Sequence, residues 1–146
     1  MAFKRPELNP PAQHELLEQV TALVVDTLPP SWLEAVIVYR HVGRANDASV
    51  SVKDAGGSEQ MWEPPVETWG LFQRLRDGMY REGEGTWFSV RYLVRASGRF
   101  EVDYDWTNRP DFADFPPADQ FAAEQERFPR EEAHMPDWFR QQLRAG

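Results

Sequence analysis

Residues 86–106, TWFSVRYLVRASGRFEVDYDW, alternate between apolar and polar side chains with the period of two that is typical of β-strands. Ser97-Gly98 separates two alternating runs and is a common dipeptide of short hairpin turns. The segment therefore predicts a long β-hairpin with one apolar face. That face consists of Phe88, Val90, Tyr92 and Val94 from the first strand and Phe100, Val102, Tyr104 and Trp106 from the second.

The polar face of the second predicted strand carries three carboxylates, Glu101, Asp103 and Asp105. Because same-face residues of a strand stand about 7 Å apart, these carboxylates form a row. Like charges at this spacing repel unless positive groups meet them. Two arrangements remain open, an acidic surface for a basic partner and ion pairs within the hairpin. The arginines available for such pairs are Arg91, Arg95 and Arg99.

The rest of the chain switches between helical and strand periods, which predicts an α+β domain. The expected architecture is an antiparallel sheet of about five strands, packed against N-terminal and central helices, with short C-terminal helices. Residues 1–146 are expected to form one domain, in which residues 107–146 are a C-terminal extension of loops and helices. Before the hairpin we predict a helix around Leu16–Val24, strands at Trp32–Tyr39, Ala48–Lys53 and Ser58–Trp62, and a helix at Val66–Arg81; after it, helices at Asp119–Arg127 and Asp137–Leu143.

Some side chains can be assigned to the core or the surface from the same periods. In the central helix Trp69, Phe72, Leu75 and Met79 form a core stripe, and the back face with Arg74, Arg76, Asp77 and Arg81 is expected to be solvated. Both faces of Trp32–Tyr39 are apolar, which permits cover on both sides. Residues 40–47 are predicted to be a polar connection, with His41 in a solvated turn, and His14 is expected on a helix surface.

Composition and charge narrow the class of protein. The 146 residues include 24 Asp and Glu against 16 Lys and Arg, a net charge of −8, which disfavours nucleic-acid binding and suits a basic protein partner. The chain has no cysteine and no apolar run near the ~20 residues of a membrane span. The N-terminal stretch lacks the apolar segment of a signal peptide. We expect a cytoplasmic protein without a membrane partner, as a monomer or weak homodimer.

Candidate catalytic and metal sites are weak. His14, His41 and His134 lie in separate segments, and no nucleophile, zinc or phosphate-loop motif is present. Asp103, Asp105 and Asp114 imitate three positions of a calcium loop, but an asparagine replaces the required glycine and a proline stiffens the middle. We therefore expect no enzyme, no cofactor and no metal. A small metal-dependent enzyme that uses Asp103 and Asp105 is the third alternative.

The order of these motifs resembles the YezG-like immunity (antitoxin) family of bacterial toxin systems. The resemblance covers about Glu15–Pro110, with the tail similar to an extension of some members. It implies a small cytoplasmic protein that binds and blocks a cognate toxin, in prototype-like systems a nuclease, without catalytic residues of its own. The segments that carry the resemblance are Leu28-Pro29-Pro30-Ser31-Trp32, Trp87-Phe88-Ser89, Gly98-Arg99-Phe100 and Asp103-Tyr104-Asp105.

A rigid acidic ridge with aromatic neighbours can occupy a basic nuclease cleft and exclude its substrate. The predicted function is therefore an immunity protein that neutralises a toxin domain by occlusion, and the alternative is an adaptor or secretion chaperone. Tryptophans such as Trp87 and Trp106 in a strand more often pack within the sheet than anchor a binding partner. The predicted partner-binding residues are Trp87, Glu101, Asp103, Tyr104, Asp105, Trp106, Asp111 and Asp114.

Overall fold

The structure is a computed structural model that describes residues 7–146. Residues 1–6, on which part of the expectation about a signal peptide rests, lie outside the described residues. Within the described range no helix combines the length and the hydropathy needed to cross a lipid bilayer.

The fold is α+β, as predicted, with one five-stranded antiparallel sheet in the order β3-β2-β1-β4-β5. The elements in chain order are α1 (Pro10–Thr27), β1 (Trp32–Val42), β2 (Ala45–Asp54), β3 (Glu59–Gln60), α2 (Glu67–Gly78), β4 (Ser89–Arg95), β5 (Phe100–Asp105), α3 (Ala118–Arg127), a 3₁₀ turn (Glu132–His134) and α4 (Asp137–Ala145).

Local signals account for the position of α1. The Asn9 side chain caps its first turn by accepting from the Ala12 N–H at 2.9 Å, and two prolines occupy the first helical positions. The helix ends at Leu28, whose extended backbone precedes Pro29. Its apolar stripe and the stripe of α2 pack on one face of the sheet. The buried core there contains Leu16, Leu17, Val20, Val24, Ala35, Ile37, Tyr39, Val52, Phe72, Leu75, Trp87, Val90, Tyr92 and Val94.

The predicted polar connection at residues 40–47 is wrong, because β1 and β2 continue through it to a two-residue turn, Gly43-Arg44. Gly43 has φ 61°, which suits the first position of such a turn. His41 is buried rather than solvated, with one ring nitrogen 2.7 Å from the Tyr39 hydroxyl and the other 2.9 Å from the Gly43 carbonyl. These polar residues therefore form the end of the two paired strands β1 and β2, and the C-terminal extension covers that end.

Arg76 corrects the prediction of a solvated back face on α2, since only 1% of this residue is exposed. Its Nε donates to the Trp87 carbonyl at 2.8 Å, and its Nη2 forms an ion pair with Glu124 of α3 at 2.5 Å. The other Glu124 oxygen accepts from the Gly43 N–H at 2.9 Å. One buried pair thus connects α2, α3 and the β1–β2 turn.

The C-terminal extension packs on the end of the sheet through a second hydrophobic cluster. Phe112, Phe121 and Phe139 of the extension are buried there against two residues of the sheet region, Val42 and Phe88. Arg130 is 5% exposed and donates to the carbonyls of Thr86, Trp106 and His134 at 2.8–3.0 Å. The extension therefore covers the sheet end and is not a free arm.

Two features of the outer strands differ from the prediction. A register shift between Trp32 and Glu34 leaves Leu33 49% exposed, although the alternation placed it with the core residues of β1. The strand predicted at Ser58–Trp62 forms only Glu59–Gln60, and Met61 directly after it is 98% exposed. On the face of β1 opposite the helices, Val36 and Val38 are half-buried and belong to neither hydrophobic cluster.

Removing one partner of the Arg76–Glu124 pair should destabilise the fold strongly, because the other charge stays buried without compensation. We expect Arg76→Met and Glu124→Gln each to lower the free energy of unfolding by about 3–5 kcal/mol, and the double variant to cost less than the sum. Urea unfolding measures this. Arg95→Met, which removes an exposed ion pair, is the matched control and should cost at most about 1 kcal/mol. Equal losses of unfolding free energy in the Arg76–Glu124 variants and in Arg95→Met would contradict the special role of the buried pair.

Protonation of His41 should destabilise the protein in acid. Burial, and then the charge of Arg76, lower the pKa of His41 from 6.5 to about 4 in the folded state. Between pH 6.5 and about 4, His41 is therefore protonated in the unfolded chain but not in the folded protein. The free energy of unfolding falls across this range by about 3 kcal/mol from this group.

His41→Gln should flatten that part of the unfolding free energy's pH profile, and His134→Gln, which replaces an exposed histidine, is the control. The difference between the two variants removes the carboxylate contributions that both share. A His41 pKa near 6.5 in an NMR titration of the folded protein would refute the expectation.

Candidate functional site

The face of the sheet opposite α1 and α2 carries the predicted acidic row. We call it the open face, defined by the β1, β4 and β5 side chains that share it, Glu34, Val36, Val38, Arg40, Ser89, Arg91, Leu93, Arg95, Glu101, Asp103 and Asp105. In register, Val38 lies beside Arg91 and Arg91 beside Asp103. Each carboxylate of the row has a different environment.

Glu101 is paired. The Arg95 guanidinium lies 3.0 Å from its Oε1, and the two side chains are 46% and 62% exposed. This pair belongs to the alternative in which hairpin arginines neutralise the row. Because both groups are well solvated, their mutual attraction is weak and either can turn toward another charge.

Asp103 is exposed and has no ion pair in the part of the chain that the structure describes, although Arg91 is its cross-strand neighbour. Both residues line a shallow depression of about 580 Å³ on the open face. Val38, Tyr104 and Trp106 contribute to its lining. The depression therefore presents a carboxylate, a guanidinium and partly buried apolar surface side by side.

Asp105 stabilises the turn that follows β5. Its carboxylate accepts hydrogen bonds from the backbone N–H groups of Thr107 and Asn108 and from the Asn108 side-chain amide, at 2.9–3.1 Å. Burial would raise the pKa of Asp105, but the bonds from Asn108 and Thr107 outweigh it and hold the pKa below its usual value. Asp105 thus stays anionic and adds negative charge to the depression while it is committed to the turn.

Asp111 and Asp114 lie on the extension and are exposed. The buried ring of Phe112 between them fixes this segment, and the Ala113 N–H donates to Asp47 at 2.9 Å. Asp47 in turn pairs with Arg40, so the segment is tied to β1 and β2. These two carboxylates are therefore on an ordered surface at the end of the sheet, and neither contributes to the lining of the depression.

Trp87 is fully buried, which corrects its inclusion among the partner-binding residues. Its ring packs at 6.2 Å from the Tyr39 ring and 5.6 Å from the Tyr104 ring, on the helix side of the sheet. Alternation put Phe88 rather than Trp87 on the face of Val90 and Tyr92. Both residues precede β4, however, and the structure places Trp87 in the main core and Phe88 in the second hydrophobic cluster. Trp87 stabilises the core and cannot contact a partner.

Tyr104 packs mainly toward the core, and its hydroxyl is buried without a hydrogen-bond partner among the described residues. Burial raises the pKa of Tyr104 to about 12. Trp106 is half-buried, with the Arg81 guanidinium 4.8 Å from the ring centroid. Both aromatic residues at the end of β5 therefore pack against the main core and also contribute to the lining of the depression.

The sequence argument placed Arg91 on the polar face of the hairpin, but it missed Val38 as a member of this surface. The apolar second face of β1 was the available signal. A strand that is apolar on both faces usually has both faces covered, so the face away from the helices was a candidate binding surface. What the alternation could not supply was the order of the strands, which places β1 next to β4 and brings Val38 beside Arg91.

Within residues 7–146, no group of three or more His, Cys, Asp or Glu side chains is arranged to hold a metal ion. Asp105, which the calcium-loop alternative requires as a ligand, instead accepts from the Asn108 amide nitrogen at 3.0 Å. Asn108 stands at the position where a calcium loop requires glycine, and its amide instead holds the Asp105 carboxylate in the turn.

Comparison with known proteins adds no relative, because neither a known protein family's sequence profile nor a curated protein sequence matches the chain.

Tyr104→Phe should leave stability unchanged or raise it slightly, by up to about 1 kcal/mol, because the buried hydroxyl has no hydrogen-bond partner among the described residues. Thermal or urea unfolding measures the change. Tyr92→Phe is the matched control, since the Tyr92 hydroxyl lies in hydrogen-bond contact with Thr21, and it should cost about 1 kcal/mol. A clear loss of stability in Tyr104→Phe would show that this hydroxyl has a partner.

Proposed function

We propose that this chain is a non-catalytic immunity protein that binds a basic toxin domain through the open face and occludes it. The observation that carries the proposal is the depression around Asp103, where an exposed carboxylate without an ion pair in residues 7–146 lies beside Arg91 and Trp106. Arginine and aromatic residues are enriched in protein–protein interfaces. This combination of a carboxylate, a guanidinium and an aromatic ring is better suited to bind another protein than to bind a phosphate group.

The charge balance supports a basic partner. The depression has two carboxylates, Asp103 and Asp105, against the guanidinium of Arg91, and the chain carries a net charge of −8. A partner with a positive patch would approach under electrostatic attraction, which raises association rates more than it lowers dissociation rates. Glu101 can contribute when its solvated pair with Arg95 rearranges.

The rigidity of the platform supports occlusion. The open face consists of strands whose opposite face is fixed by the main core, so an incoming protein meets preformed side-chain positions. Preorganised surfaces lose less conformational entropy on binding. The resemblance to the YezG-like immunity family supplies the partner class, a toxin domain and in particular a nuclease, whose phosphate-binding cleft would be basic.

The adaptor or secretion-chaperone alternative has its own supporting feature. A groove of about 760 Å³ lies between α1 and α2 on the other side of the molecule, and Ala22, Leu23, Gly70 and Leu71 contribute its apolar lining. Such grooves accept amphipathic helices. Leu23→Glu separates the two functions, because it should abolish adaptor binding and leave toxin binding through the open face intact.

Asp103→Lys should weaken binding to the toxin encoded beside the gene by roughly 10-fold or more, mainly through slower association. Isothermal titration calorimetry gives the affinity, and stopped-flow kinetics at two salt concentrations gives the electrostatic share. Glu15→Lys makes the same charge change on the exposed surface of α1 and should leave affinity within about twofold.

The proposal also predicts growth protection in cells. Co-expression with the neighbouring toxin should rescue growth with the wild-type chain and with Glu15→Lys, and rescue should be lost with Asp103→Lys. Wild-type affinity in Asp103→Lys, or no association with any neighbouring gene product, would contradict the proposal.

A further inference from the structure

The outer edge of β5 has no neighbouring strand in the described part of the chain. β5 ends the sheet, and β4 is the only strand paired with it among residues 7–146. An exposed edge is a template for another strand unless lysine, proline or a bulge protects it. The six residues of β5, FEVDYD, include neither lysine nor proline. The edge is therefore open to an added strand.

The hairpin turn determines which backbone groups of β5 point outward. The Arg95 N–H donates to the Arg99 carbonyl at 2.9 Å, so these two residues form a hydrogen-bonded pair, and such pairs alternate along an antiparallel ladder. At the other end of β5, the Asp105 carbonyl accepts from the Phe88 N–H at 2.8 Å, so it also points toward β4. The N–H and C=O groups that point away from β4 consequently belong to Phe100, Val102 and Tyr104.

Contacts at both ends limit the length of this edge. The turn at Gly98 reverses the chain before β5. After β5, the Trp106 carbonyl continues the outward parity, but Arg130 of the C-terminal extension already donates to it at 2.9 Å. No described residue bonds to the outward groups between these two points. An added strand can therefore pair with the six residues of β5 and not with those beyond them.

The two faces of β5 differ in chemistry. Glu101 and Asp103 are exposed on the open face. The side chains on the helix side are half-buried and pack against the main core, and these are Phe100, Val102 and Tyr104. Successive side chains of an added strand would alternate between the same two faces. A complementary strand therefore alternates basic residues with apolar ones.

Charge complementarity selects this occupant. Positive side chains meet the acidic row from the β4 side alone, where Arg95 pairs with Glu101 and Arg91 is the cross-strand neighbour of Asp103. Lysine or arginine on an added strand would form favourable cross-strand pairs from the other side. Pairing of β5 with β5 of a second copy would instead bring carboxylates opposite carboxylates, which destabilises an antiparallel ladder.

We propose that the edge of β5 binds an extended segment of the toxin domain as a sixth strand, whose basic side chains lie opposite Glu101 and Asp103. Backbone hydrogen bonds supply affinity in this mode of recognition, and the alternating side chains supply specificity. The inference rests on the proposed function for the identity of the partner, and it adds the contact with the backbone.

Residue-resolved amide hydrogen exchange tests the proposal on the wild-type chain. Without a partner, the amides of Phe100, Val102 and Tyr104 should exchange fast, whereas the inward amides of Glu101 and Asp103 should exchange slowly. Binding of the toxin encoded beside the gene should slow the three outward amides by roughly 10-fold or more. If the toxin binds and these amides keep their free rates, the added strand is refuted, while toxin binding itself, and with it the proposed function, is retained.

Val102→Pro removes one outward N–H and leaves the ladder with β4 intact, so the fold should persist by circular dichroism. Its affinity for the toxin should fall by roughly 10-fold. Val102→Ala is the matched control, because it also shortens the side chain but keeps the N–H, and it should stay within about twofold of wild type. Equal affinities of the two variants would overturn the proposal. If Val102→Pro does not fold, the exchange rates of the wild-type chain decide.

A capped peptide that alternates valine with lysine tests the edge without the toxin. It should slow the same three outward amides, and the counterpart with glutamate in place of lysine should not. If the toxin does not bind but the lysine peptide slows these amides, the proposed function fails and the strand-binding edge is retained. Slowing by neither the toxin nor the lysine peptide, or equal slowing by both peptides, would overturn the inference.

Discussion

The buried ion pair between Arg76 and Glu124 is the interaction on which the rest of the structure depends. A guanidinium and a carboxylate cost several kcal/mol each to remove from water, so this pair persists only because its remaining polar atoms are also satisfied. The Trp87 carbonyl accepts from Arg76, and the Gly43 N–H donates to Glu124. The pair thereby fixes the C-terminal extension against the central helix and the end of the sheet. Once the extension is held there, it covers one end of the open face and leaves the surface around Asp103 accessible.

The spacing of apolar residues predicted those helices and strands that bury a single face against one neighbouring layer. The stripes of α1 and α2, the hairpin of β4 and β5 and the short C-terminal helices all follow from side chains that repeat at the helical or strand period. The prediction was wrong where a distant segment supplies the cover. Arg76 and His41 have the residue types of a solvated surface, but both are buried, and distant segments such as α3, which pairs with Arg76, contribute to that burial. Contacts between residues 48 positions apart, as in Arg76–Glu124, leave no local trace in the sequence.

For the acidic row, the sequence likewise predicted the positions of the side chains but not their contacts. Alternation correctly placed Glu101, Asp103 and Asp105 on one face, since the strand period alone determines it. The state of each carboxylate depends on its neighbours: Arg95 pairs with Glu101, the turn after β5 engages Asp105, and Asp103 remains without an ion pair among the described residues. The physical basis of the proposed function is therefore narrower than a continuous acidic ridge. It consists of Asp103 within a mixed surface that includes Arg91, Val38 and Trp106.

Carboxyl-group footprinting of the complex with the neighbouring toxin tests the central claim most directly, because it reports the solvent access of individual carboxylates. If the open face is the binding surface, carbodiimide labelling of Asp103 should fall sharply in the complex, while labelling of Glu15 on α1 should stay as it is in the free chain. Unchanged labelling of Asp103 together with protection of carboxylates beside the α1–α2 groove, such as Asp26 and Glu67, would contradict the account.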